Sequence, residues 1–201
     1  MKILLDCSPA KILEYRQRYD HDFGQLRTPL TRYARCPGVE YALDNGCFKR
    51  FERNAWLRMV EETDEDPPLF LTLPDIVGDA ARTVELFDAF WPKVNGVRLA
   101  LVLQDGIQNS VIPWRRLHCV FIGGSDDFKH SKEAFAAARA AKMLGKWVHV
   151  GRVNTAKRVR NWVGLADSID GSGISRYDHM LEDCLAEISG VHPQTQMELT
   201  A

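Results

Sequence analysis

Cys119-Val120-Phe121-Ile122-Gly123-Gly124-Ser125, followed some twenty residues later by Trp147-Val148-His149-Val150-Gly151-Arg152-Val153-Asn154, is the stretch whose reading decides the fold. Each half opens with a short run of β-branched and aromatic residues and closes on glycine and polar residues, which is how a strand ends in a loop. Between the two runs, Ser131 is a helix N-cap. Ala134, Phe135, Ala138 and Ala141 share one helical face, and Gly145 ends the helix. Strand, helix and strand in that order, with little alternation inside the strands, is the signature of a parallel sheet covered on its outer face by helices.

The same unit recurs in both directions. Upstream, Val97 to Leu103 runs into Gln104-Asp105-Gly106, and Leu69 to Leu73 runs into Pro74-Asp75. Asp79 caps a helix that uses Ala80, Val84, Phe87 and Trp91. Tyr41 to Leu43 delivers Asp44, and Asn54 is a cap for a helix containing Trp56, Leu57 and Val60. Ile3 to Asp6 is the first strand, with Ser8 as cap and Pro9 at the first helical position. Tyr19 to Val39 reads as polar and irregular, and Glu61 to Pro68 as an acidic loop. Downstream, Thr155 caps a helix with Val159, Trp162 and Val163 that Gly164 stops. A strand then ends in Ser168-Ile169-Asp170-Gly171, and a last helix places Leu181, Cys184, Leu185 and Ile188 on one face. The domain is expected over residues 1–190, with 191–201 as a polar tail. About seven strands are legible, against the eight of a β/α barrel, and the length lies at that fold's lower limit. The expected fold is therefore a compact (β/α)8-type TIM barrel, complete or short of a strand. The doubly wound open sheet is the alternative, although no Gly-x-Gly-x-x-Gly follows the first strand.

Composition narrows the class. The chain has 201 residues, 45% apolar and 26% charged, with a formal net charge of -1. It is long enough for one large core, and it is not a basic nucleic-acid binder as a whole; a local basic face remains open. Five cysteines are scattered without paired metal spacing, which suggests a reducing compartment. The opening apolar run is too short for a signal peptide, and no stretch approaches a membrane span. A cytoplasmic protein is expected.

In either fold the carboxyl ends of the strands line the site. Here they carry Asp44, Asp75, Gln104, Gly123, Gly124, Arg152, Asn154 and Asp170. Each alone could be a turn residue capping backbone donors, but a whole rim of acids, amides and glycines points to a ligand. Asp75 can accept from an amidine-like edge, while Gln104 and backbone N–H groups near Gly123 and Gly124 can donate to a carbonyl oxygen. Together they match the edge of guanine. Arg27, Arg32 and Arg35 surround Tyr33, a cluster that suits phosphates but more often is a solvated loop; Arg152, Lys157, Arg158 and Arg160 follow a late strand and suit a phosphate site, with a solvated helix face an equal reading for Lys157, Arg158 and Arg160. His149 is read as a core histidine rather than a catalytic one. Cys47 lacks an activating base.

Spread over nearly the whole domain, these residues resemble the tRNA-guanine transglycosylase superfamily. They are most similar to its short relatives, found in phages and bacterial gene clusters, that insert 7-deazaguanine bases into DNA. Asp44-Asn45-Gly46-Cys47-Phe48 is similar to the family's Asp-Ser-Gly-Gly-Phe segment, and Leu73-Pro74-Asp75 falls at its base-recognising aspartate. Gln104-Asp105-Gly106 resembles its Gln-Gly segment, Gly123-Gly124 its glycine pair, and Ser168-Ile169-Asp170-Gly171-Ser172 its nucleophile strand. Pro29-Leu30-Thr31-Arg32 is similar to a Pro-Leu-x-x-Ser-Arg-type segment of the short relatives. Asn45 and Cys47 depart from the small residues of the first motif. The Cys-x-Cys-x-x-Cys and His zinc site of the tRNA enzymes has no counterpart.

The resemblance implies a pentosyltransferase that exchanges guanine for a 7-deazaguanine such as preQ0, with no metal or redox cofactor. Asp170 would be the nucleophile and Asp44 the proton-transfer group. Asp75, Gln104, Gly123, Gly124, Asn45, Gly46 and Phe48 would hold the base, and Arg27, Arg32, Arg152, Asn154, Arg158 and Arg176 the nucleic acid. The implied partners are DNA rather than tRNA and a free 7-deazaguanine base, in the host cytoplasm if the gene is a phage's; a targeting protein is left open, and no membrane is involved. Two alternatives stay open: a glycoside or nucleoside hydrolase using the same two acids, and a non-catalytic nucleic-acid-binding module.

Overall fold

The structure, a computed structural model, describes residues 1–94 and 96–190; the expected tail at 191–201 lies outside the described residues. Eight parallel strands close into one barrel in sequence order. They are β1 (Lys2–Leu5), β2 (Phe23–Arg27), β3 (Tyr41–Leu43), β4 (Leu71–Thr72), β5 (Leu99–Leu103), β6 (Cys119–Ile122), β7 (Trp147–Val150) and β8 (Ser168–Asp170). Closure is made by β1 against β8, with Leu4 opposite Asp170. This excludes the open doubly wound sheet and makes the barrel complete.

Most strands return through a helix. α1 (Pro9–Arg18) follows β1, α2 (Arg53–Glu61) follows β3, and α3 (Ala80–Phe90) follows β4. Both α4 (Asp126–Lys129) and α5 (Lys132–Met143) follow β6, α6 (Ala156–Trp162) follows β7, and α7 (Asp178–Ser189) follows β8. The β2–β3 connection is irregular, and β5–β6 carries only two 3-10 turns. Omitting two helices is how eight strands fit so short a chain.

Alternation along each strand sorts the core into two layers. Leu4, Leu26, Ala42, Phe70, Ala100, Val102, Cys119 and Phe121 form one cluster inside the barrel. Ile3, Leu5, Leu101, Leu103, Val120 and Ile122 belong to the other, packed against helical residues such as Ile12, Phe87, Ala138 and Leu181. Capping follows the sequence at most helices. The side chains of Ser8, Asp79, Ser131 and Thr155 accept from Lys11, Arg82, Ala134 and Arg158 backbone N–H groups respectively.

Four local expectations are corrected. The segment read as irregular contains β2, whose Gln25 is buried by pairing both ends of its amide, to Ala34 O at 2.8 Å and the Cys36 N–H at 2.9 Å. Asn54 lies inside α2 rather than capping it; the boundary residue is Glu52, which makes no side-chain cap. β4 is reduced to Leu71–Thr72. Trp91 leaves α3 for a 3-10 turn and stacks under Arg116, 4.8 Å from the ring centroid. Among the described residues, no helix is long and apolar enough to cross a membrane.

Candidate active site

At the carboxyl end of the barrel one pocket is lined by Asp44, Asn45, Phe48, Asp75, Val77, Val102, Gln104, Phe121, Gly123, Gly124, Arg152 and Asp170. Every polar member sits at, or a few residues beyond, a strand end, so the barrel's parallel order is what brings them together. A broader concavity at the opposite end is lined by Met1, Lys2, Arg16 and Asp22 among others. There Lys2 is already paired with Asp22 and Glu40.

Asp75 is held on both oxygens. The Asn45 amide donates to Oδ1 at 2.8 Å, and the Gln104 amide donates to Oδ2. Asn45 is itself fixed: its N–H donates to Thr72 Oγ1 at 2.8 Å, its amide donates to Leu73 O at 2.7 Å, and its Oδ1 accepts the Cys47 N–H at 2.7 Å. Gln104 Oε1 accepts the Gly78 N–H at 3.0 Å. Two immobilised amides therefore set the plane of one carboxylate. Burial raises Asp75 above the usual carboxylate range, against the lowering effect of Asn45, Cys47 and Gln104.

Asp44 directly follows β3, its N–H donating to Arg27 O at 2.9 Å. Burial, with the carboxylates of Asp170 and Asp75 nearby, pushes Asp44 up to about 7. Such a group carries both protonation states near neutrality, as a general acid and base must. Cys47 beside it is pushed up to about 12, chiefly by burial, so it is a thiol rather than a thiolate.

Asp170 ends β8. Its Oδ1 lies 3.0 Å from His149 Nε2 and accepts the Arg152 N–H at 3.3 Å. Among the described residues its Oδ2 accepts no hydrogen bond. Arg152 has a left-handed backbone, φ +60°, uncommon for a residue with a side chain and a mark of local strain. Its guanidinium donates to Gly124 O and lies 3.9 Å from the centre of the Phe48 ring. Phe48 is 57% exposed. The Phe48–Arg152 stack therefore spans from the β3 loop to the β7 loop and supplies the flat cover that no single residue announced in the sequence.

The glycine pair is only partly available to a ligand. The Gly123 N–H donates to Leu103 O at 3.0 Å, which removes it as a ligand donor, whereas the Gly124 N–H has no partner among the described residues. A Cβ on Gly123 would lie 2.6 Å from Val102 Cγ1, and one on Gly124 2.6 Å from the Phe128 ring. Both glycines are thus required by packing.

Several expected contacts lie elsewhere. Gly46 does not line the pocket; at φ +74° it turns the loop against Leu30. Arg27 is buried on β2 and pairs with Glu62 at 2.7 Å, so it is not presented at the rim. Asn154 Oδ1 accepts the Gly173 N–H at 2.7 Å and the Ile174 N–H at 3.4 Å, clamping the loop after β8. Arg158 donates to Asp126 and, at 3.3 Å, to Arg152 O. Arg32 and Arg176 are exposed, on the loops after β2 and β8.

Sequence reasoning passed over Asp6 and did not foresee the contact of His149 with Asp170. Asp6 follows β1 and accepts from Thr31 Oγ1 at 2.6 Å; burial raises it most, and Asp170 adds to the rise. Its place at a strand end was the available signal. His149 is fully buried, as read, but it touches Asp170. Among the described residues no group of three or more His, Cys, Asp or Glu is placed to hold a metal ion. No family model and no curated protein matches the chain.

Proposed function

We propose that the protein is a DNA-guanine transglycosylase, exchanging guanine for a free 7-deazaguanine base of the preQ0 type. The observation that carries this reading is the joint presence in one pocket of Asp170 with a free Oδ2, Asp44 pushed up to about 7, and Asp75 braced by two amides. The resemblance drawn from the sequence supplies the reaction class; the pocket supplies residues suited to each role.

In the first half-reaction Asp170 Oδ2 attacks C1′ of the sugar. A carboxylate–C1′ bond forms as the C1′–N9 bond breaks, and its electron pair leaves with guanine, which takes a proton from Asp44. In the second half the incoming base gives its own N9–H proton to Asp44, its N9 bonds to C1′, and the Oδ2–C1′ bond breaks to release the Asp170 carboxylate. Nothing is oxidised or reduced. Asp75 accepts from the N1–H and N2–H₂ edge of the purine, and the free Gly124 N–H donates to O6. Phe48, Phe121, Val77 and Val102 are the apolar walls for the ring. C1′ is out of reach inside a duplex, so the target nucleotide must leave the stack or be single-stranded.

The test is incubation with guanine-containing DNA and labelled preQ0, then nucleoside mass spectrometry, with tRNA and Asp170→Asn in parallel. Label in DNA only with the unmutated protein is the expected result. Released guanine without label would favour the hydrolase, and label in tRNA alone would overturn the DNA assignment. Asp44→Asn is expected to lose about 10²- to 10⁴-fold in exchange rate, the usual contribution of a general acid–base group.

A further inference from the structure

Inside the barrel, directly beneath Asp170, three side chains form a hydrogen-bonded chain that the exchange chemistry does not by itself require. Trp147 Nε1 donates to Ser168 Oγ at 2.8 Å. Ser168 Oγ lies 2.8 Å from His149 Nδ1, and His149 Nε2 lies 3.0 Å from Asp170 Oδ1. Ser168 and His149 are fully buried. The β7–β8 register sets His149 directly opposite Ser168, so the contact is built into the sheet.

The donor inventory fixes the direction of the chain. An indole N–H can only donate, so Ser168 Oγ is its acceptor. The single Ser168 hydroxyl proton then needs an acceptor, and His149 Nδ1 is the one within reach. Nδ1 therefore presents its lone pair, and the imidazole proton resides on Nε2, aimed at Asp170 Oδ1. Phe70 and Phe121 pack against the imidazole, with ring centres 5.0 and 4.5 Å away, and leave it no room to turn over. The Arg152 N–H reaches the same oxygen at 3.3 Å. Two fixed donors thus hold Oδ1 of this pocket-lining carboxylate, while Oδ2 has no donor among the described residues.

We propose that Trp147, Ser168 and His149 are positioning residues that lock His149 as the Nε2–H tautomer and, through it, fix the Asp170 carboxylate with one oxygen free to react. This rests on the reading of Asp170 as nucleophile. In the glycosyl ester Oδ2 is bonded to C1′ and Oδ1 becomes the carbonyl oxygen, which keeps both donors. The same carbonyl is held polarised when the incoming base displaces Oδ2, so the chain serves both half-reactions. No proton travels along it; its contribution is orientation.

The test has two independent arms. First, exchange is measured for His149→Leu, His149→Gln and Ser168→Ala, together with equilibrium binding of preQ0. His149→Leu is expected to lower kcat by about 10²-fold, the scale expected when a reacting group is misplaced by an ångström, with preQ0 affinity unchanged. His149→Gln, which can still donate to Oδ1, is expected to recover much of the rate. A purely structural role would instead move folding and affinity together and show no selective recovery. His149→Leu with kcat within twofold of the unmutated protein would overturn the proposal. Second, the ¹⁵N spectrum of histidine-labelled protein at pH 8 is expected to show His149 with a protonated Nε2 and a bare Nδ1, and Ser168→Ala is expected to disturb it. The Nδ1–H tautomer would overturn the proposal even if every variant failed to fold. If the unmutated protein exchanges nothing, the transglycosylase reading fails, while the spectrum still judges the hydrogen-bond chain by itself.

Discussion

At the scale of single residues, the half-buried Asp44 and the buried Lys129 hold charge at a measurable energetic cost. Asp44 is raised from the ordinary aspartate value to about 7. The folded protein therefore binds its proton more tightly than the unfolded chain. That contribution is complete below about pH 4 and is lost as pH rises through about 7. Asp44→Asn is expected to be more stable than the unmutated protein at pH 8, by a few kcal/mol at most, with the advantage gone by pH 4 in urea melts. Lys129 is 2% exposed, its ammonium has no hydrogen-bond partner among the described residues, and burial lowers it from 10.5 to about 8. Here the unfolded chain binds the extra proton. The penalty is complete below about pH 8 and fades as pH rises towards 10.5. Lys129→Met is expected to raise stability at pH 7 by roughly 1–3 kcal/mol, since the ammonium leaves no partner stranded, and to narrow its lead at pH 10. A loss of stability at pH 7 would show that Lys129 has a partner the structure does not reveal. The acids at positions 44, 75 and 170 were legible because each closes an apolar run. The contact of His149 with Asp170 was not, because it depends on which residue of β7 stands level with which residue of β8, and register is not written locally in a chain.

At the scale of elements, strands and caps were readable where side-chain chemistry repeats the element's period, and unreadable where a tertiary partner overrides it. β2 illustrates the second case. Gly24, Gln25 and Arg27 break the apolar pattern, yet all three are buried. Gln25 is satisfied by the loop that follows it, whereas Arg27 pairs its Nη1 with Glu62 and keeps a buried Nε with no partner among the described residues. A Cβ on Gly24 would lie 2.6 Å from Leu4 and 2.9 Å from Glu40 O, so the glycine is the condition for β1, β2 and the β3 entry to pack together. The loop after β8 shows a site residue with a structural task. Asn154 receives two backbone N–H groups there, and a Cβ on Gly171 would meet Asn154 Oδ1 at 2.3 Å. Asn154→Ala is expected to lose about 1–3 kcal/mol in chemical denaturation, the cost of leaving part-buried donors unpaired. A variant as stable as the unmutated protein would show that water replaces the clamp.

At the scale of the whole molecule, closure and charge set the terms for function. β1 and β8 pair directly, so the two ends of the described chain are locked into one cooperative sheet. The eighth strand escaped the sequence because it was β2, the polar one. The net charge of -1 confines any attraction for DNA to a local patch. Arg32, Arg152 and Arg176 are the arginines left near the rim once Arg27 and Arg158 are assigned to Glu62 and Asp126. Three phosphate contacts correspond to a slope of about -3 in log K against log salt. Fluorescence anisotropy across a salt series measures it; a slope near -8 would require about five further phosphate contacts beyond these three arginines. The central claim, that Asp170 carries the sugar between two bases, is tested most directly by intact-protein mass spectrometry. The protein is mixed with a guanine-containing single-stranded oligonucleotide without acceptor base, quenched, and digested to locate the adduct. The expected result is a glycosyl ester on Asp170, absent from Asp170→Asn and discharged by added preQ0 with the base appearing in the DNA. Exchange that proceeds undiminished in Asp170→Asn, or an adduct on a different side chain, would contradict it.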